Sequence, residues 1–284
     1  YNNILTQSRE KLDLLDSKKV FRYFQKKKPR CIIIAAAFTG GILFNKKNKS
    51  GILYQNSVIQ NNLLEGARLN NIKDLIFLAS NCIYSNSVKQ PWEEKDILVG
   101  PFDKTHESFS LAKIMGIKLC EYYNLEYKTN FKTLILPNIY GPEDKYNSSS
   151  SSFFPTFLNR IYIAKKKNTK QIFFKNRGSI RREVLYVEDV ALACIFFLKK
   201  KTKHSVINIG SGSEMTLRHY AKFIMKKLHF KTKIIFAKKS FGMKRKILNC
   251  KIARSCGWRP EFNLEVGFEK TIKDFEKNIK LKDV

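Results

Sequence analysis

The sequence predicts an α/β fold built on a parallel sheet, and three observations carry that prediction. Short apolar runs rich in β-branched residues recur along the chain, turn residues bound them, and stretches of helical period separate them. Runs of this kind, divided by helices, are the signature of parallel strand–helix–strand units. The 284 residues suit one large α/β unit or two modest domains with ample core.

Taken in order, Cys31 to Ala37 reads as a buried strand and Asn56 to Asn70 as a helix. Asp74 to Ser80 is a second strand, Ser108 to Tyr127 a long helix and Lys132 to Pro137 a third strand. After Pro142 the pattern loosens. Short strands at Gln171 to Phe174, Val206 to Ile209 and Lys233 to Phe236 mix with helices at Val187 to Leu198 and Thr216 to Leu228. That predicts a smaller α+β portion appended to the sheet. The serine run Ser148 to Ser152 reads as a flexible loop. It sets the expected domains at 1–147 and 148–284, with some chain crossing back to the sheet.

Composition narrows the classes. Apolar residues make up 43% and aromatics 13%, which predicts a globular chain and not a disordered one. No apolar run is long enough to span a membrane, and Tyr1-Asn2-Asn3 does not open a signal peptide. The six cysteines form no C-x-x-C pair and no zinc-type spacing. Most sit in apolar runs such as Cys31-Ile32-Ile33-Ile34, where a thiol acts as a small hydrophobe. The expectation is a reduced, cytoplasmic protein without a structural metal. His106, His204, His219 and His229 show no ligand spacing and read as structural or solvent-facing. A net charge of +30 attracts polyanions. Its lysines are scattered in short runs across the chain, without a basic motif interleaved with aromatics. Solvated lysine bias is the preferred reading, and nucleic-acid binding ranks last.

A dinucleotide-binding sheet of Rossmann type begins with a strand and a Gly-rich turn that holds the pyrophosphate. No G-x-x-G-x-x-G occurs here, and Gly40-Gly41 is too short and follows the wrong strand. In the strand order 3-2-1-4-5-6 the first strand lies mid-sheet, so its absence is expected to expose strand edges.

Four segments carry chemistry. Phe77-Leu78-Ala79-Ser80-Asn81-Cys82-Ile83-Tyr84 ends a strand in small polar residues. Glu107 to Glu121 follows, with the fingerprint Ile117-Lys118-Leu119-Cys120-Glu121. Then come Pro137-Asn138-Ile139-Tyr140-Gly141-Pro142 and Arg182-Glu183-Val184-Leu185-Tyr186-Val187-Glu188-Asp189. In this order they resemble the extended short-chain dehydrogenase/reductases, the NAD-dependent epimerase/dehydratases, and within them the GDP-L-fucose synthase type. The resemblance runs from near Arg9, with Leu12-Asp13-Leu14-Leu15-Asp16, to Lys273.

The resemblance implies epimerisation of GDP-4-keto-6-deoxymannose at the carbons beside its ketone, followed by reduction with NADPH. Epimerisation needs an acid and a base on opposite ring faces, and the family uses a Cys and a His. Reduction needs a Tyr to protonate the developing alkoxide, a Ser to share the oxyanion load, and a Lys to lower the Tyr pKa. Ser80, Cys82 and Lys113 match the family Ser, Cys and Lys. Phe109 stands where the Tyr belongs, and Ser152 where the His belongs. Arg9 falls where a cation meets the 2′-phosphate of NADP(H), and Lys113 and Asn138 fall at further cofactor positions. Arg160, Arg182 and Lys246 fall where the family holds the GDP-sugar, Lys246 within the tail Lys239-Ser240-Phe241-Gly242-Met243-Lys244-Arg245-Lys246. Relatives pair through their two long helices, which implies a homodimer. Phe109 cannot donate a proton, and a serine hydroxyl barely titrates near neutrality. Two readings follow: an NADP-dependent nucleotide-sugar epimerase/reductase of impaired activity, or a non-catalytic nucleotide-sugar-binding paralogue.

Overall fold

A computed structural model describes residues 3–146, 151–239 and 243–278. Most of the serine run, and Ser240 to Gly242 of the basic tail, lie outside the described residues. The strands are β1 (Cys31–Ile34), β2 (Asp74–Ser80), β3 (Asn130–Leu136), β4 (Asn138–Tyr140), β5 (Gln171–Phe174), β6 (Arg181–Tyr186), β7 (Val206–Asn208), β8 (Glu214–Thr216) and β9 (Lys233–Phe236). The helices are α1 (Ser17–Lys27), α2 (Ile42–Lys47), α3 (Lys49–Leu69), α4 (Glu107–Tyr127), α5 (Phe153–Lys166), α6 (Val187–Lys199), α7 (Leu217–Lys227), α8 (Lys251–Ser255) and α9 (Leu264–Asn278).

The main sheet is wholly parallel, in the order β1-β2-β3-β7. Leu75, Ile76 and Phe77 of β2 point to alternate faces, yet all three are inaccessible. Both faces are therefore covered, by α4 and α6, which each pack on β2 and β3. Close approach of α4 needs a glycine: a Cβ on Gly116 would lie 2.6 Å from Cζ of Phe77. A second small sheet, β4-β6-β8, and a two-stranded pair, β5-β9, complete the fold. They enclose a separate aromatic core that includes Phe154, Phe157, Phe174, Tyr220 and Phe268. Chain beyond residue 148 serves both cores, because Cys194, Phe197 and Ile207 join the core of the main sheet.

The helix and strand boundaries differ from expectation in instructive places. β1 stops at Ile34, not Ala37, because Ile34 is its last residue paired with β2. α3 starts at Lys49, well before Asn56, because Asn56 is a buried polar residue that breaks the apolar period. Its side chain donates to the carbonyl of Phe38 and accepts from the Phe38 amide at 2.9 Å. Among the described residues no strand pairs with the outer edge of β1, where Ile33 is 44% exposed. Residues 3–15 pass that edge without forming a strand and line a groove of about 570 Å³ with Ile32 to Phe38.

Candidate active site

The carboxyl ends of β2 and β3 come together by register, since Ser80 lies opposite Leu136. Chain leaving β2 makes one tight 3-10 turn, Asn81–Ile83, capped by the Ser80 hydroxyl. Cys82 sits on that turn and is 3% exposed. The first turn of α4 is tied to it: Ser110 Oγ donates to the Cys82 carbonyl at 2.8 Å, and the Ser110 amide donates to the His106 carbonyl at 2.8 Å. Just past β3, Asn138 opens β4. Its Oδ1 is buried without a hydrogen-bond partner, as is Nδ2 of Asn81. Both atoms lie at the carboxyl ends of adjacent strands, where ligands of open parallel sheets bind.

Lys113 approaches from α4 and is buried. Its ammonium donates to the Leu78 carbonyl at 2.9 Å and lies 4.5 Å over the Phe77 ring. Phe109, one helical turn earlier, is buried and its ring centre is 5.6 Å from the Lys113 nitrogen. Burial pulls the Lys113 amine down to about 8, with partial relief from Cys82 and Cys120.

A second group faces Cys82 from β6. The segment Lys244 to Lys246 runs beside this strand, with the Arg181 amide donating to the Lys244 carbonyl and the Glu183 amide to the Lys246 carbonyl. Buried Glu183 fastens the arrangement by accepting from the amides of Gly212 at 2.7 Å and Leu248 at 3.0 Å. Burial pushes its carboxyl up to about 7. Lys246 is 8% exposed, and burial followed by Arg182 pulls its amine down to about 8, against Cys82 and Asp103. Arg182 donates to the carbonyls of Arg181 and Met243, and burial lowers it to about 10. Cys82 thus lies within electrostatic reach of two buried lysines, Lys113 and Lys246.

His106 belongs to this group, which its spacing in the sequence did not reveal. It caps the start of α4 without a side-chain cap bond and is mostly buried. Its Nδ1 is 2.7 Å from Thr105 Oγ1, and Thr105 Oγ1 donates to Asp103 Oδ1. His106 and then Thr105 hold the Asp103 carboxyl well below the usual carboxylate range. Burial lowers the His106 pKa, with Asp103 opposing and Lys246 and Arg182 adding to the fall. The signal available in the sequence was the run Asp103-Lys104-Thr105-His106, three residues ahead of Phe109.

The remaining expected residues stand elsewhere. Ser152 is at the N-cap of α5, and its hydroxyl is buried without a hydrogen-bond partner. Arg160 is exposed on α5 with its guanidinium 5.2 Å over the Phe174 ring. Arg9 is exposed on the groove beside Ala35 to Ala37. Among the described residues no group of His, Cys, Asp and Glu could hold a metal ion, and no helix is long and apolar enough to cross a membrane.

The chain is similar to known proteins in sequence and in fold. The chain is 36% identical over 277 residues to a GDP-L-fucose synthase of Sinorhizobium fredii, covering 97% of this chain and 88% of that one. A GDP-6-OMe-4-keto-L-xylo-heptose reductase of Campylobacter jejuni superposes with a TM-score of 0.90 at 25% identity, over 98% of this chain and 91% of that one. A GDP-mannoheptose C4 reductase of the same organism, solved with NADP bound, superposes with a TM-score of 0.88 at 27% identity, over 97% and 90%. Residues 2–210 match one family throughout, from the groove beside β1 to the strand that closes the main sheet, and the chain belongs to that NAD dependent epimerase/dehydratase family.

Proposed function

We propose that this chain binds a GDP-sugar with a ketone at carbon 4 and acts on that ketone and the carbons beside it, with NADP(H) as reductant. The observation that carries this reading is a buried Cys82 at the carboxyl end of a parallel sheet, within electrostatic reach of two buried lysines. Similarity to GDP-sugar synthases and reductases supports it. Arg182 and Lys246 are the cations for a diphosphate, which suits paired donors. Arg160 is proposed as an outer contact to the same nucleotide. Ser80 polarises the ketone, and Cys82 moves a proton at the neighbouring carbon.

The residues present fit the nicotinamide-ribose end of the cofactor: a buried amine on Lys113, with Asn138 Oδ1 and Asn81 Nδ2 still seeking partners. Lys113 and Asn138 would hold that end, and Arg9 a 2′-phosphate. When bound, NADP(H) supplies hydride to the ketone carbon. Phe109 gives the ketone oxygen nothing, so reduction by this chain is slow. Isothermal titration with GDP and NADPH, followed by NADPH oxidation at 340 nm with GDP-4-keto-6-deoxymannose, tests the reading. Binding without turnover selects a second reading favoured by Phe109 and Ser152, a nucleotide-sugar-binding paralogue without catalysis. Absence of GDP binding overturns both. Leu53, Tyr54, Leu111, Met115 and Leu125 are exposed on α3 and α4, which supports the proposed homodimer; sedimentation velocity at micromolar concentration checks it.

A further inference from the structure

We infer that His106 is the second acid–base group of this site, working with Cys82 on the carbon beside the ketone. The inference rests on the GDP-sugar reading and deepens it. Epimerisation needs two proton-transfer groups, and the chain offers no titratable side chain at residue 109 or 152. His106 is mostly buried near Asp103, Lys246 and Arg182, and Lys246 is in turn within electrostatic reach of Cys82.

Hydrogen bonding fixes its tautomer. A carboxylate only accepts, so the single hydroxyl proton of Thr105 goes to Asp103. Thr105 Oγ1 then has only lone pairs for His106, and Nδ1 must carry the ring proton and donate it at 2.7 Å. Nε2 is left unprotonated with its lone pair, which is the form a general base requires. Thr105 and Asp103 act as positioning residues through this chain of bonds. Position is fixed by the Ser110 bridge, whose amide binds the His106 carbonyl while its hydroxyl binds the Cys82 carbonyl.

Charge around the ring favours the neutral base at rest. Asp103 on its own loop stabilises a positive ring, whereas Arg182 on β6 and Lys246 beside that strand oppose it. Desolvation also opposes it, and together these outweigh Asp103. Nε2 takes the proton from the carbon as the C–H bond breaks and its electron pair becomes the enolate. The Cys82 S–H bond then breaks, its proton goes to the opposite face of that carbon, and the thiolate is left beside Lys113 and Lys246. The imidazolium proton returns to the thiolate through solvent, which restores both groups without oxidant or reductant.

The test is deuterium uptake from D₂O into GDP-4-keto-6-deoxymannose without NADPH, read by mass spectrometry. The wild-type chain incorporates deuterium, and the rate falls as pH drops through the His106 titration below 6.5. His106→Asn lowers the rate by about 100-fold or more while GDP affinity stays within about 3-fold. Thr105→Val keeps the ring but loses its partner, and lowers the rate by about 3-fold to 10-fold with a shifted pH limb. Imidazole ¹⁵N NMR of the wild-type protein should show His106 protonated at Nδ1, a readout independent of substrate. Unchanged uptake in His106→Asn, or protonation at Nε2, overturns the assignment. No uptake by a wild-type chain that binds GDP also overturns it, whereas no GDP binding overturns the sugar reading instead.

Discussion

Two buried lysines lie within electrostatic reach of Cys82, and their neighbourhoods differ. Lys113 faces two aromatic rings, two thiols and a backbone carbonyl. Lys246 faces a guanidinium, a carboxylate and, through them, His106. Burial brings both amines down to about 8, so their titration alone does not tell them apart. The surroundings do. Around Lys113 the walls are neutral, which suits a ligand that needs one hydrogen bond and a dry contact. Around Lys246 two cations share one carboxylate, which leaves an uncompensated positive charge that only an anion relieves. The two amines are alike in burial and differ in the chemistry of their surroundings.

The sharpest way to probe the Lys113 side is Phe109→Tyr. A hydroxyl beside a lysine of lowered pKa restores a proton donor, and NADPH oxidation should accelerate by about 100-fold or more. No acceleration would break the view that the neutral wall limits reduction. The Lys246 side is probed by Arg182→Ala, which should weaken GDP binding by about 10-fold to 100-fold in isothermal titration, given that charged hydrogen bonds are worth about 1.5–3 kcal/mol. The same measurement on Lys113→Met should move by less than about 2-fold; an equal loss in both would erase the distinction.

Stability offers a third probe. The folded pKa of Lys113 lies below its unfolded value of 10.5, so the burial penalty is fully present below pH 8 and vanishes above pH 10.5. Lys113→Met should therefore stabilise the fold by about 1–2 kcal/mol at pH 7 in urea titrations, after allowing for the lost bond to Leu78. That gain should shrink as pH rises through 8 to 10.5. The smallest effect concerns pH and GDP. An anion favours protonated Lys246, so GDP affinity should fall by only about a few-fold between pH 7 and 9, and Lys246→Arg should flatten the curve.

Legibility in the sequence followed how local each cause was. β2 was read at its true bounds because a continuous apolar run ending in small polar residues needs no outside help. The start of α3 was not, because Asn56 and Gln60 are buried through bonds to Phe38 and Ala112, partners that periodicity does not disclose. The motif singled out Ser80, Cys82 and Lys113, and the fold brings Cys82 within electrostatic reach of Lys113. His106 was not legible, because what makes it chemical is Arg182 and Lys246, which arrive from the far half of the chain. Its near partners, Asp103 and Thr105, looked like ordinary residues of a loop.

The bare outer rim of β1 has a consequence for handling the protein. Residues 3–15 run past that side without pairing, so among the described residues the position beside Ile33 is open to an added extended segment. A charge of +30 opposes close approach of a second copy at that side. Added electrolyte shortens the reach of that repulsion and leaves the edge untouched.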